Sequence, residues 1–188
     1  MTEKIRRNFA VTLERAATGD DRLVGGCCVP YNRPTKVSDG GPPYMEMFVP
    51  GVFGHQLGAA HSVELRYQHQ DDLLSRIGHG VNLEERADGL WGTFRVFAGT
   101  PGDQALALVD AGLLTGLSIF GTVRRSARGS DGTVVRQRVD LEHVGLVDTP
   151  AYGEARVALR RSRADFDLPE LPDDEQLARL RAVGITIA

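Results

Sequence analysis

The chain has 188 residues, 41% of them hydrophobic, and a formal net charge of −3 at pH 7. A chain of this length is most simply one domain with a sizeable core, because it can bury about 70% of the surface that it exposes when unfolded. The acidic balance excludes a basic field for nucleic acid, no apolar run reaches the length of a membrane span, and the first residues do not resemble a signal peptide. We therefore expect no nucleic-acid partner and no membrane partner.

The two cysteines, Cys27 and Cys28, are adjacent. Adjacent cysteines are poorly placed for an ordinary disulfide, and there is no second pair to complete a zinc site. Five histidines raise the question of a metal, but none has the His-x-x-x-His spacing on a helix with a nearby glutamate. We expect no metal, no cofactor and folding in a reducing cytoplasm.

The first third of the chain has the alternation of strands, interrupted by a loop rich in proline, glycine and aspartate. The predicted elements are strands over residues 5–16, 22–31 and 45–49, with helical turns over 52–60. Next come a strand over 63–69 and a hairpin of strands over 74–85 and 89–98, for which Asp88-Gly89 is the turn signal.

A helix is predicted over residues 100–111. Thr100 is the expected N-cap, Pro101 suits the first helical position, and Gly112 ends the helix. Two further strands, over 115–125 and 133–146, form a second hairpin. Several strands with one internal helix predict an α+β, mainly β fold, a compact and mostly antiparallel β-barrel with surrounding helices.

The composition changes after Arg160. A last strand is predicted over residues 155–159, followed by a linker with two prolines and a short amphipathic helix over 173–183. We therefore predict a main domain over residues 1–160 and a tail over 161–188.

Three separate blocks carry the candidate chemistry. The first runs from Val63 through His69 to Gly78, the second is Gly112–Gly121 with Ser118 between apolar neighbours, and the third is Leu141–Tyr152. A single serine in a strand, or a single histidine, is more often ordinary packing than catalysis. It is the order and spacing of the three blocks that point to a shared site.

Together the blocks resemble the prohead proteases of tailed phages, the HK97-like capsid maturation serine proteases, over about residues 5–160. The resemblance implies that Ser118 is the nucleophile and His69 the general base. It also implies a fold like that of the herpesvirus maturational proteases, which have a mostly antiparallel barrel with helices around it.

The third member of the site is open. In this family an acidic residue commonly precedes the valine of the last block, but here His143 holds that place, Glu142 lies one residue earlier, and Gly145 replaces the family's serine. Neighbours in a regular strand point to opposite faces, so both cannot reach His69 unless the strand is irregular. Position favours His143, in a Ser-His-His arrangement like that of the herpesvirus enzymes; Glu142 is the alternative, and a third reading is that neither contacts the base.

The resemblance implies an endopeptidase that is packaged in the procapsid, in the host cytoplasm. Its implied partner is the major capsid protein, whose scaffolding segment it cleaves, and it is expected to remove its own tail. By analogy with the herpesvirus relatives, a homodimer is expected to switch it on. The alternative is a non-catalytic capsid assembly or scaffolding factor on the same fold.

Overall fold

The structure, a computed structural model, describes residues 3–9, 14–15, 22–70 and 72–148. The predicted strand over 155–159, the linker, the helix over 173–183 and the domain boundary at residue 160 all lie outside the described residues. The predicted first strand appears as two pieces, with residues 10–13 between them undescribed.

Within the described residues, ten strands form one mixed sheet. They are β1 (Glu3–Phe9), β2 (Glu14–Arg15), β3 (Leu23–Pro30), β4 (Thr35–Val37), β5 (Tyr44–Phe48), β6 (Glu64–Tyr67), β7 (Arg76–Arg86), β8 (Gly89–Val96), β9 (Gly116–Arg128) and β10 (Val134–Val147). Both predicted hairpins, β7–β8 and β9–β10, are present.

The sheet curls on itself. Its strand order is β1-β9-β10-β6-β7-β8-β3-β2, with β5 pairing beside β10 and β4 beside β5. All pairs are antiparallel except β10 with β5 and β10 with β6. Although β3 and β9 are five places apart in this order, they contact each other, so the sheet curls far enough to bring these two strands together. The mainly β prediction is confirmed in the form of a half-barrel.

The described residues contain one α-helix, α1 (Thr100–Asp110), and two 3₁₀ segments, Gly54–Ser62 and Leu73–Ser75. None of these helices has the length and apolar character needed to cross a membrane. The prediction of Thr100 as N-cap was wrong by one residue. Gly99 caps the helix because its φ of 116° suits glycine alone, and its carbonyl accepts the Asp103 N–H at 2.9 Å. Gly112, with φ 71°, ends the helix as predicted.

One face of the curled sheet holds the hydrophobic core. Alternate residues of β9 and β10 point into it, including Leu117, Ile119, Val144 and Leu146, all fully buried. The residues between them therefore lie on the opposite face. The alternation fixes which side chains share that face with Ser118, and this face carries the candidate chemistry.

Candidate active site

Three neighbouring strands, β1, β9 and β10, place three residues each on the face opposite the core. We call this patch the polar face, and the strand registers put its residues in three rows. The rows are Lys4, Thr122 and Asp140; Arg6, Phe120 and His143; and Asn8, Ser118 and Gly145. The candidate nucleophile thus lies inside the sheet, with a paired strand on each side.

The Ser118 side chain is completely buried and touches two polar groups. Its Oγ is in hydrogen-bond contact with Nε2 of His69 and with the side-chain oxygen of Asn8. His69 is itself only 5% exposed. In such a dry setting hydrogen bonds are electrostatically stronger than in water, and they polarise one another when linked.

His69 lies in a tight turn just after β6. Both Gln68 and His69 have positive φ, 52° and 56°, and the Gln70 N–H donates to the Tyr67 carbonyl at 3.1 Å. Two successive left-handed residues are uncommon outside glycine and asparagine, and such conformations cluster at functional sites. The Gln68 N–H donates to the carbonyl of Leu146 at 3.0 Å. That bond holds the turn against β10 and directs the imidazole back over the polar face.

Gly145 provides the space that the His69 ring occupies. A Cβ atom at Gly145 would lie 2.9 Å from Nε2 and 3.0 Å from Cδ2 and Cε1 of the ring. Real Cβ atoms do not come this close, so a side chain at this position would displace the imidazole. The glycine in place of the family's serine therefore has a geometric reason in this chain.

His143 stands on the far side of His69 from Ser118. Its Nε2 is 2.8 Å from Nδ1 of His69, within hydrogen-bond distance. The His143 ring is 5% exposed and stacks on Phe120 with centroids 4.8 Å apart and planes 15° from parallel. The three side chains Ser118, His69 and His143 thus form one continuous hydrogen-bonded chain.

Glu142 lies on the same face but does not join this chain. The β9–β10 register shifts between Leu141 and His143, so Glu142 is the extra residue of a β-bulge, and regular alternation fails here. Its carboxylate accepts from Thr122 Oγ at 2.6 Å and from Lys4 Nζ at 3.0 Å. Partial burial opposes its ionisation, but these hydrogen bonds outweigh that effect and hold the pKa of Glu142 below its ordinary value.

The opposite face of β1 anchors the strand through charge. Arg7 is 4% exposed and donates to the carboxylates of Glu46 and Asp39, and Arg136 donates to Glu46 at 2.6 Å. Burial alone would lower the pKa of Arg7, but the hydrogen bonds to Glu46 and Asp39 raise it above its ordinary value. This network fixes β1, and with it Asn8, beside β9.

Asn8 is a neighbour of Ser118 that the sequence did not reveal. An alternating strand predicts that Asn8 lies opposite to Ile5 and Arg7, but only the β1–β9 register, which pairs Asn8 with Ser118, shows what it faces. Within the described ranges, no group of three His, Cys, Asp or Glu side chains is arranged to hold a metal ion.

Comparisons with known proteins address the family and the fold. The profile of the caudovirus prohead serine protease family matches residues 11–167. A search of curated proteins finds no significant match. Among solved structures, the bacteriophage T4 capsid assembly protease, gp21, has a similar fold, with a TM-score of 0.55 at 14% identity over 79% of this chain and 99% of that one.

The family profile covers most of the chain, including the segments that carry His69, Ser118 and His143. The similar solved structure, at 14% identity, supports the fold. The predicted family is therefore confirmed, and the chain belongs to the caudovirus prohead serine proteases.

Proposed function

We propose that Ser118 is the nucleophile, His69 the general base and His143 the residue that orients the base. The single observation that carries this proposal is the unbroken hydrogen-bonded chain from Ser118 Oγ through both nitrogens of His69 to His143 Nε2. Nucleophilic serine needs a base within hydrogen-bond reach, and the base in turn needs a partner on its second nitrogen. Among the described residues, His69 is the histidine that is hydrogen-bonded to Ser118.

The reaction has two halves. In the first, Ser118 Oγ bonds to the carbonyl carbon of the substrate while its proton passes to His69 Nε2, and the carbonyl electron pair moves to oxygen. The carbon–nitrogen bond then breaks, and the leaving amine takes the proton from His69. In the second half, water attacks the acyl-enzyme, His69 receives the water's proton, and that proton returns to Ser118 as the acid product leaves.

His143 distinguishes this site from one with a carboxylate. When His69 becomes an imidazolium, a neutral His143 stabilises it with a dipole, and this is a weaker interaction than a full charge gives. We expect a slow peptidase as the result. Confinement in a closed shell brings substrate to effective concentrations on the order of mM, so slow turnover is sufficient there.

Access to the nucleophile requires movement, because Ser118 is completely buried and His69 nearly so. A scissile carbonyl reaches Ser118 Oγ only after a covering group has shifted.

Activity is also expected to rise with pH across the range in which histidine loses its proton. A rate that is flat from about pH 5 to 8 would count against His69 as the base.

The proposed substrate is the scaffolding segment of the major capsid protein, cleaved inside the procapsid in the host cytoplasm. Family membership and the fold shared with a phage capsid assembly protease support this assignment. The test is co-expression with the capsid protein of the same phage, followed by mass spectrometry of the capsid protein. We expect a shortened capsid protein with the wild-type chain and a full-length one with Ser118→Ala. Shortening that persists with Ser118→Ala would refute the assignment and leave a non-catalytic assembly role.

We also propose that the enzyme removes its own tail, with residues 160–188 as the region cleaved. This region lies outside the described residues, and its composition is what supports the proposal. Prolonged incubation of purified enzyme should yield a chain shortened at its C-terminus, and Ser118→Ala should stay intact. An intact C-terminus on active enzyme would refute self-cleavage.

We also propose that the fold is a barrel like that of the herpesvirus proteases and that the enzyme is active as a homodimer. Leu73 and Leu74, 79% and 72% exposed, follow His69 by four and five residues. Exposed apolar pairs of this kind favour association, and contact there would act on the turn that carries the base. Specific activity should rise with enzyme concentration in step with the sedimentation coefficient, and Leu73→Asp should abolish both increases. Activity independent of concentration in a monomer would refute the dimer.

A further inference from the structure

The hydroxyl of Ser118 lies between two groups that compete for its single proton. One is His69 Nε2, the proposed base, and the other is the side-chain amide of Asn8 on β1. A hydroxyl has one hydrogen to donate and two lone pairs to accept with. If it donates to one neighbour, the other neighbour must donate to it.

In the structure, Ser118 donates to the side-chain oxygen of Asn8. His69 Nε2 must then carry a hydrogen and donate to Ser118, and Nδ1 of His69 must accept from His143 Nε2, which lies 2.8 Å away. Every hydrogen bond of the chain is satisfied in this direction. However, His69 has no lone pair facing Ser118, so it cannot take the serine proton.

A half-turn of the Asn8 amide reverses the whole chain when both imidazoles also change tautomer, each ring losing a proton from one nitrogen to water and gaining one from water on the other. The amide oxygen and NH₂ group are nearly equal in size, so the turn exchanges an acceptor for a donor without changing the shape of the side chain. With Nδ2 facing Ser118, Asn8 donates to Oγ, the hydroxyl proton points to His69 Nε2, and His69 Nδ1 donates to His143. This is the direction that general base catalysis requires.

The same amide group lies where negative charge develops. After attack, the former carbonyl oxygen and Ser118 Oγ are bonded to the same substrate carbon. A donor that contacts Oγ is therefore also within reach of this oxygen. The Ser118 N–H is already directed within the sheet toward β1 or β10, because Ser118 pairs with Asn8 on one side and Gly145 on the other. The backbone N–H groups of Arg124 and Arg125 are six and seven residues further along β9, about 20 Å away at the rise of a strand, and are out of reach.

We propose that Asn8 is a further catalytic residue of this protease. Before attack, Asn8 Nδ2 donates a hydrogen bond to Ser118 Oγ, and this directs the hydroxyl proton to His69. After attack, Nδ2 donates a hydrogen bond to the substrate oxyanion. The charge of that oxyanion comes from the carbonyl electron pair displaced by Oγ. The proton balance is that of the proposed mechanism, on which this inference rests. The charged network at the adjacent Arg7 holds the strand, so Asn8 acts from a fixed backbone.

The test uses the full chain and the purified capsid protein of the same phage. Asn8→Ala removes the donor, and Asn8→Asp keeps the shape but offers only an acceptor when ionised. Removal of one oxyanion donor costs about 10²- to 10³-fold in kcat, and we expect that loss in Asn8→Ala with KM changed less than about threefold. Asn8→Asp should lose at least as much. Asn82→Ala, the same change at an exposed asparagine of β7 outside the polar face, is the matched control and should stay within about threefold of wild type.

The outcomes separate this inference from the proposed function. If the wild type cleaves, Ser118→Ala does not, and Asn8→Asp cleaves at the wild-type rate, then Asn8 fills space only and the inference is overturned while the mechanism stands. If Asn8→Ala cleaves faster than wild type, the amide holds the Ser118 hydroxyl away from His69, and this result also overturns the inference. If Asn8→Ala does not give a cooperative thermal transition, the shape-conserving Asn8→Asp variant decides.

Discussion

Arg7 and Asn8 are neighbours on β1, yet their side chains enter two opposite kinds of polar environment. Arg7 enters a buried network of formal charges with Glu46 and Arg136, and Asn8 enters a chain of groups that carry no permanent charge, with Ser118 and His69. Both environments are buried, and in both the polar atoms are paired. They differ in whether a proton can move.

The difference follows from proton affinity. Arginine stays protonated and a carboxylate paired with it stays ionised, so the Arg7 side of β1 can only hold its geometry. Serine, histidine and asparagine exchange donor and acceptor roles at little cost, so the Asn8 side can reverse its direction. One strand thus combines a fixed anchor with a reactive surface, and changes on its two sides should affect stability and catalysis differently.

The largest effect is expected at the centre of the neutral chain. Ser118→Ala and His69→Ala should each lower kcat for capsid protein cleavage by about 10⁴-fold or more, because either change removes the nucleophile–base pair. The double variant should be no worse than either single variant, since the two residues act as a unit. Additive losses would show that they act separately.

On the charged side, Glu46→Gln should lower the free energy of unfolding by about 3–5 kcal/mol, because it leaves two buried guanidinium groups without their shared carboxylate. Urea titration measures this change. The control is Glu84→Gln, which removes an exposed partner of Arg86 and should cost less than about 1 kcal/mol. Equal effects of the two changes would contradict the anchoring role.

Substitutions of His143 and Glu142 distinguish the two candidates for the third catalytic residue. His143→Ala leaves a buried nitrogen of His69 without its partner, a loss of about 1–3 kcal/mol or about 5- to 150-fold in kcat. Glu142→Gln is the matched control one residue away and should keep kcat within about twofold. The reverse ranking in a steady-state assay would assign the role to Glu142.

A substitution at Gly145 tests how precisely the His69 ring must be positioned. Gly145→Ala forces the imidazole away by a few tenths of an ångström, and such a misplacement should lower kcat by about 10-fold. The melting temperature should change little if the turn at His69 absorbs the shift. Unchanged activity would mean that the observed ring position is not the reactive one.

The smallest effect concerns the dependence of stability on pH. Because the pKa of Glu142 is held below its ordinary value of 4.5, its stabilising contribution is complete above about that pH and disappears as the pH falls through the lower folded-state pKa. The carboxylate is 37% exposed, so the contribution should be at most about 1 kcal/mol. Glu142→Gln should flatten the decline of stability below pH 4.5, and an unchanged curve would contradict this.

The sequence predicted the parts of the site that have local signals. The blocks around His69, Ser118 and His143 indicated the family, and turn residues such as Gly112 indicated where elements end. The bulge at Glu142 and the pairing of Asn8 with Ser118 were not predictable, because both depend on register between strands that are distant in the chain. The same is true of the network that joins Arg7 to Arg136, since charged residues in a strand ordinarily indicate an exposed face.

The most direct measurement is covalent labelling of the full chain with diisopropyl fluorophosphate, with the adduct located by mass spectrometry. Attack by Ser118 Oγ on phosphorus expels fluoride and transfers the hydroxyl proton to His69, so it repeats the first proposed step. We predict one adduct, on Ser118, formed at least about 10²-fold more slowly in His69→Ala. An adduct on another residue, no adduct at all, or equal rates in the two proteins would contradict the account.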